Sequence, residues 1–267
     1  MRNFRKLATA LMLISFIFAT AAPAMAAGLA DITSIQGGNG GMAKGNASTI
    51  YFGNYWQSYK GSGATDAKES YNYEGIKWRV LSNGSGKTSL LSDQGLYADQ
   101  FNSTSVTANK NVWGDDANGI SSEIRTTLNN TTADSGFAGD AFNAKEYAAI
   151  ADTTHAAGGS HDNSTVSSTD KIFLLSIEEA MNPDYGFANG TGTTPTREMT
   201  ATEMAKNVKM YGNSSTALVT DGTSYWWHRS PGSTAVSEYY IDNDGHSYVG
   251  SVTDGYRTAR AALNLNQ

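Results

Sequence analysis

The chain has 267 residues, no cysteine, 16% charged residues and a formal net charge of −6. Without cysteine there is no disulfide framework and no lipoprotein anchor, and the acidic balance argues against nucleic acid or an anionic membrane as partner. Aromatic residues reach 10%, so the Gly-, Ser-, Thr- and Asn-rich composition reads as loop-rich and polar rather than disordered.

Arg2, Arg5 and Lys6 precede an apolar run from Leu7 to Ala19, and Ala24-Met25-Ala26 follows as a small-x-small site. That is the layout of a secretory signal peptide over residues 1–26, with cleavage expected after Ala26. The run is too short to span a bilayer, so no membrane insertion is expected. Cleavage removes three basic residues and takes the net charge to −9. The protein is therefore expected to be secreted, at the cell surface or in the periplasm. Residues 27–47, with Gly37-Gly38-Asn39-Gly40-Gly41, read as a flexible lead-in to a single domain over 48–267.

Ile50–Phe52 reads as a short strand ended by Gly53-Asn54. Ile76, Trp78 and Val80 alternate with Lys77 and Arg79, the period of a half-buried strand. Asn83-Gly84-Ser85-Gly86 supplies turn residues before Ser89–Leu91, which predicts a β-hairpin. Helices are expected after Ser121 or Ser122, after Asn143 with Glu146, and after Thr200 with Glu203, the last reaching Gly212. His155–Thr169 reads as a long loop, Lys171–Leu175 as a buried strand, and Ser176–Glu179 as a capped short helix. Strands are then expected at Ala235–Ile241, His246–Val252 and Arg260–Leu265.

Between them lies Tyr225-Trp226-Trp227-His228-Arg229-Ser230-Pro231-Gly232, where Pro231-Gly232 stops a strand. Neighbours on a strand face opposite ways, so one tryptophan is expected in the core while the other covers a second surface or meets a ligand.

The short chemical signatures each have an ordinary explanation. Gly84-Ser85-Gly86-Lys87-Thr88 resembles part of a phosphate-binding loop, yet Leu81 stands where glycine is needed and a strand follows instead of a helix. Asp242-Asn243-Asp244-Gly245 lacks the outer acids of a calcium loop and reads as a tight turn, with a looser calcium site as the alternative; no other cofactor is expected. Glu178 and Glu179 do not share a helix face. His155 and His161 match no short zinc spacing, and no nucleophile elbow exists. The protein is read as more a binder than an enzyme.

Tyr51–Gln57, Ile76–Leu81, Asp170–Ser176, Trp226–Gly232 and Arg260–Leu265 together resemble a bacterial exported domain family of unknown function, of the DUF6273 type. That family typically shows YFGxYxQ, IxWxVL, DKxFLLS, WWLRSPG and a VRPALNL ending, in this order. His228 stands where leucine is usual, and Ala261 where proline is usual. The resemblance implies, at one remove, a C-type-lectin-like fold shared with formylglycine-generating enzymes and retroelement variable proteins. It would be a mixed α+β domain with paired terminal strands, two or three short helices and a loop-rich half. The oxidase chemistry of those enzymes needs cysteines that are missing here.

The leading expectation is a non-enzymatic module that presents a tyrosine-rich face to an extracellular glycan, protein or cell-surface polymer. The alternatives are a glycan or peptide hydrolase with carboxylates from separate loops, and a structural surface-layer or appendage component. If Ile241 and Val249 face the core, alternation turns Tyr240, Asp242 and Tyr248 outward beside His246. The candidate ligand-binding set is Trp227, His228, Tyr240, Asp242, His246 and Tyr248. Arg229 is expected instead to hold loop carbonyls.

Overall fold

The computed structural model describes residues 49–61, 65–103, 111–115, 121–156 and 167–266. The signal segment, the lead-in and His161 lie outside the described residues.

Strand β1 (Thr49–Tyr59) pairs antiparallel with β2 (Tyr71–Gly84). It does not stop at Gly53-Asn54. The register slips between Tyr51 and Asn54, and Gly53 takes φ +66, so the glycine marks a bulge through which the strand continues. Its missing side chain also leaves room for Phe142, whose ring would stand 2.5 Å from a Cβ. The predicted hairpin forms. Ser85 and Gly86 both have positive φ (54 and 75), the two-residue turn that suits strand twist, and they deliver β3 (Lys87–Ser92) alongside β2. Ile76, Trp78 and Val80 face inward as their alternation requires, and Trp78 Nε1 donates to the Phe52 carbonyl at 2.7 Å.

After β4 (Tyr97–Ala98) come α1 (Glu123–Asn129), α2 (Phe137–Ala141) and α3 (Ala144–Ala149). Ser122 caps α1. Asn143 and Glu146 close a reciprocal capping box on α3. β5 (Thr153–His155) pairs with β6 (Ser168–Asp170), so the expected long loop is narrower than the sequence suggests at both ends. β7 (Ile172–Phe173) leads into Ser176, whose hydroxyl and Glu179 carboxylate cap each other's backbone N–H groups as predicted. α4 (Glu203–Asn207) is capped by Thr202 and ends well before Gly212, leaving Val208 and Met210 buried as extended chain. Of the four α-helices in the described residues, none exceeds seven residues.

β8 (Val219–Thr220) and β9 (Thr223–Ser224) form a small ladder before β10 (Trp226–Pro231), β11 (Ser237–Ile241), β12 (Ser247–Ser251), β13 (Thr258–Ala259) and β14 (Ala262–Asn266). One sheet runs β1-β2-β3-β14-β7 and the other β12-β11-β10-β13-β4. The molecule is thus mixed α+β and strand-rich.

The terminal strands share the first sheet but do not pair. β14 inserts between β3 and β7, with Leu263 opposite both Leu90 and Ile172, while β1 sits beyond β2. The hairpin explains the difference: β3 offers Leu90 and Leu91, both fully buried, whereas β1 is already paired with β2. Each such leucine contributes about 1.5–3 kcal/mol on burial. A single apolar cluster joins Ile50 and Trp78 to Trp226, Trp227 and Leu265. Arg260 ties the two sheets, its Nε donating to Ser92 O at 3.0 Å while its guanidinium lies 4.9 Å from the Trp226 ring centre.

Candidate functional site

On β10 the alternation places Trp226 and Trp227 on opposite faces, and both faces are covered. Each tryptophan is fully buried, so neither meets a ligand directly, which corrects the expectation for Trp227. Trp226 Nε1 donates to Arg197 O at 3.0 Å, and Trp227 Nε1 to Asp99 O at 2.8 Å. The second-sheet face behind Trp226 is core, and the face over Trp227 is closed by Phe101 and by Arg257. His228 is also fully buried beside Trp226, ring centres 4.8 Å apart, and so leaves the candidate set as well.

The remaining candidates do come together. Tyr240 pairs across β11 and β12 with Tyr248, and their rings lie 6.2 Å apart. His246 packs on Tyr248 at 4.1 Å. Tyr240 in turn neighbours Tyr225 at 6.3 Å, and Tyr225 meets Tyr256 edge-on at 6.1 Å. Tyr248 is the most open of the row at 46% exposure; the others are half-buried. Ile241 faces the core as expected. Val249 does not: β12 is an edge strand, and Val249 is 39% exposed on its other side.

Arg257 organises this row and was missed by sequence reasoning. Its guanidinium lies 3.8 Å from the Tyr240 ring centre, 4.5 Å from Trp227 and 4.9 Å from Tyr256. Asp254 holds it in place through Nη1 at 2.6 Å. Gly250 makes the space, because a Cβ there would stand 2.3 Å from Arg257 Nη2. A buried cation among ring faces gains from the ring quadrupoles, and it fixes Tyr240 and Tyr256 as rigid neighbours of the exposed ring. The available signal was the first arginine of Arg257-Thr258-Ala259-Arg260, two residues after the Asp254-Gly255 turn.

Asp242 and Asp244 border the row in a turn. Asp242 Oδ1 accepts from the backbone N–H groups of Asp244 and His246, and Asp244 Oδ2 accepts from the Thr193 hydroxyl. This is the predicted tight turn. Burial, with Asp244 beside it, pushes Asp242 up to about 6.

Two carboxylates elsewhere, Asp170 and Glu179, sit in ion pairs with arginines. A cavity of about 500 Å³ between α1, α3 and β6 is lined by Arg125, Asp170 and Lys171. Asp170 takes hydrogen bonds from Arg125, Trp113 and Ser168. Glu179 is held by Arg229 at 2.5 Å, and Arg229 also donates to Leu174 O at 2.7 Å, the carbonyl-holding role expected of it. The Gly84–Thr88 segment is a hairpin turn with no helix behind it.

Fold and site together define an α+β domain of one antiparallel and one mixed sheet that carries an arginine-centred tyrosine face on the edge of the mixed one. The chain belongs to the family described as a domain of unknown function, DUF6273, whose profile matches residues 85–267. The match begins inside the β2–β3 turn, although β1 and β2 complete the same sheet. No curated protein matches the chain, and no solved structure matches it.

Proposed function

We propose that this protein is a secreted bacterial binding module that lays its Tyr248 face against an extracellular glycan. The observation that carries the reading is the unbroken row Tyr256, Tyr225, Tyr240, Tyr248 and His246, which rests on Arg257 and opens to solvent at Tyr248. Tyrosine rings offer an apolar face to sugar C–H groups and a hydroxyl to their oxygens, and a pre-packed ring loses little entropy on binding. The kinship to C-type-lectin-like domains suggested by the sequence stretches, and export directed by residues 1–26, belong to the same reading.

The test is retention on immobilised polysaccharides and a glycan array, using the chain from residue 27. Tyr248→Ala should weaken binding about tenfold or more, equivalent to ~1.4 kcal/mol, while its melting temperature stays within a few degrees because the side chain is exposed. Tyr239→Ala, on the other face of β11, should bind as the parent does. Equal binding by the Tyr248 and Tyr239 variants removes the face from the reading.

A further inference from the structure

A second cavity, of about 280 Å³, shares no residue with the tyrosine face. Its apolar floor is Leu81, Leu90, Phe173, Leu175 and Ala262, and its polar wall is His155, Glu179, Tyr185, Arg229 and Asn264. Four of the sequence stretches singled out above meet there: Ile76–Leu81 through Leu81, Asp170–Ser176 through Phe173 and Leu175, Trp226–Gly232 through Arg229, and Arg260–Leu265 through Ala262 and Asn264.

Two polar atoms in this wall are buried without a partner. His155 is 7% exposed, packs against Phe173 with the ring centres 4.3 Å apart, and its Nε2 has no hydrogen bond. Asn264 spends its Nδ2 on the Thr153 hydroxyl at 2.9 Å, which leaves its buried Oδ1 unmet. Leaving a buried polar atom unmet is costly, and two on one wall call for a ligand or water that meets them. The ion pair adds more capacity. Arg229 uses only Nη1 and Glu179 only Oε2 in their described hydrogen bonds, so further donors and an acceptor remain.

The charge balance selects the ligand. Arg229 and Glu179 neutralise one another, and burial together with the Arg229 charge holds His155 down at about 4, neutral at ordinary pH. An ionic ligand would bring a charge that nothing here offsets, which is costly beside side chains as buried as His155 and Arg229. Hydroxyl groups both donate and accept, so they suit a wall where free donors and acceptors stand side by side. The volume of about 280 Å³ lies just below the ~300–1,000 Å³ usual for small-molecule sites, which limits the ligand to a single ring, and the apolar floor suits ring C–H groups. We propose that the cavity between β14, β7 and the end of β5 binds one neutral sugar ring, held by Asn264, His155, Arg229 and Glu179.

This site is independent of the tyrosine face, and one protein preparation can test both. Titration calorimetry with free glucose, galactose, mannose and N-acetylglucosamine should give saturable binding to at least one of them. Glucuronate and glycine, as anionic and zwitterionic comparators, should bind at least tenfold more weakly. Asn264→Leu and His155→Phe should each weaken the sugar at least tenfold, and Tyr248→Ala should leave it unchanged. Tyr185→Phe removes only a hydroxyl from a half-buried wall residue; it serves as the folded variant if the buried ones misfold, and a several-fold loss is expected. Absence of saturable binding by any of the four sugars overturns the proposal. So does preference for a charged comparator, or unchanged affinity in the folded wall variants.

Discussion

His228→Leu should make this protein more stable, and by an amount that depends on pH in a calculable way. The ring is fully buried, its Nε2 has no partner, and Nδ1 lies 3.2 Å from Leu175 O. Leucine loses that contact but strands nothing, because the same carbonyl accepts from Arg229 N at 3.0 Å. Removing an unmet buried nitrogen is worth about 1–3 kcal/mol, and the near-equal volume keeps repacking against Trp226 below ~1.5 kcal/mol. At pH 7 the net gain should be about 1–2 kcal/mol. Burial also drives the His228 imidazole down to about 3. Between pH 3 and 6.5 the unfolded chain therefore binds a proton that the folded one refuses, so this residue makes stability rise with pH through that window. At pH 4 it costs the parent roughly 3 kcal/mol more than at pH 7, a penalty the leucine variant escapes. Urea unfolding of both proteins at pH 4 and pH 7 reads the difference directly, since the other titrations cancel. Equal stabilities at both pH values would refute the argument.

Asp99 has the opposite linkage. Burial raises its carboxyl to about 8, so the folded state keeps a proton that the unfolded chain releases near 4, and stability should fall as pH rises between those values. Asp99→Asn should match the parent at pH 4 and exceed it at pH 8 by a few kcal/mol, on the order set by the shift; urea midpoints that run parallel across pH 4–9 would count against this. A chain ending at residue 258 lacks β14 and should show no cooperative thermal transition, because β3 and β7 lose their shared partner. A sharp melt at the parent temperature would show that the first sheet stands without it.

What the sequence revealed was whatever local periodicity and capping encode. The Ile76–Leu91 hairpin, the Ser122 cap and the Asn143–Glu146 box follow from neighbours within a few residues, and all three are present. Tyr240, Tyr248 and His246 share a face because strand alternation alone decides it. Partners brought from afar were not readable. Trp227 looked free for a ligand because nothing near it in sequence shows that Phe101 and Arg257 close over it. Gly53 looked like a stop because a bulge and a strand end carry the same residue; only the Phe142 ring packed against it distinguishes them. Asn264 and His155 meet only once β14 is in place.

The position of β14 also sets an order of assembly. The β1–β2–β3 meander is local and can form early, but Ser92 and Arg260, which hold the seam between β3 and the chain's end, are 168 residues apart. Closing a loop of that length costs about 4–5 kcal/mol in chain entropy before any contact repays it, and such non-local pairing is slow. During that interval the Leu90–Leu91 edge of β3 lies bare, an open template of backbone donors and acceptors beside apolar side chains. Strand exchange between two newly made copies would begin at this seam, each offering its own residues 262–266 to the other's β3.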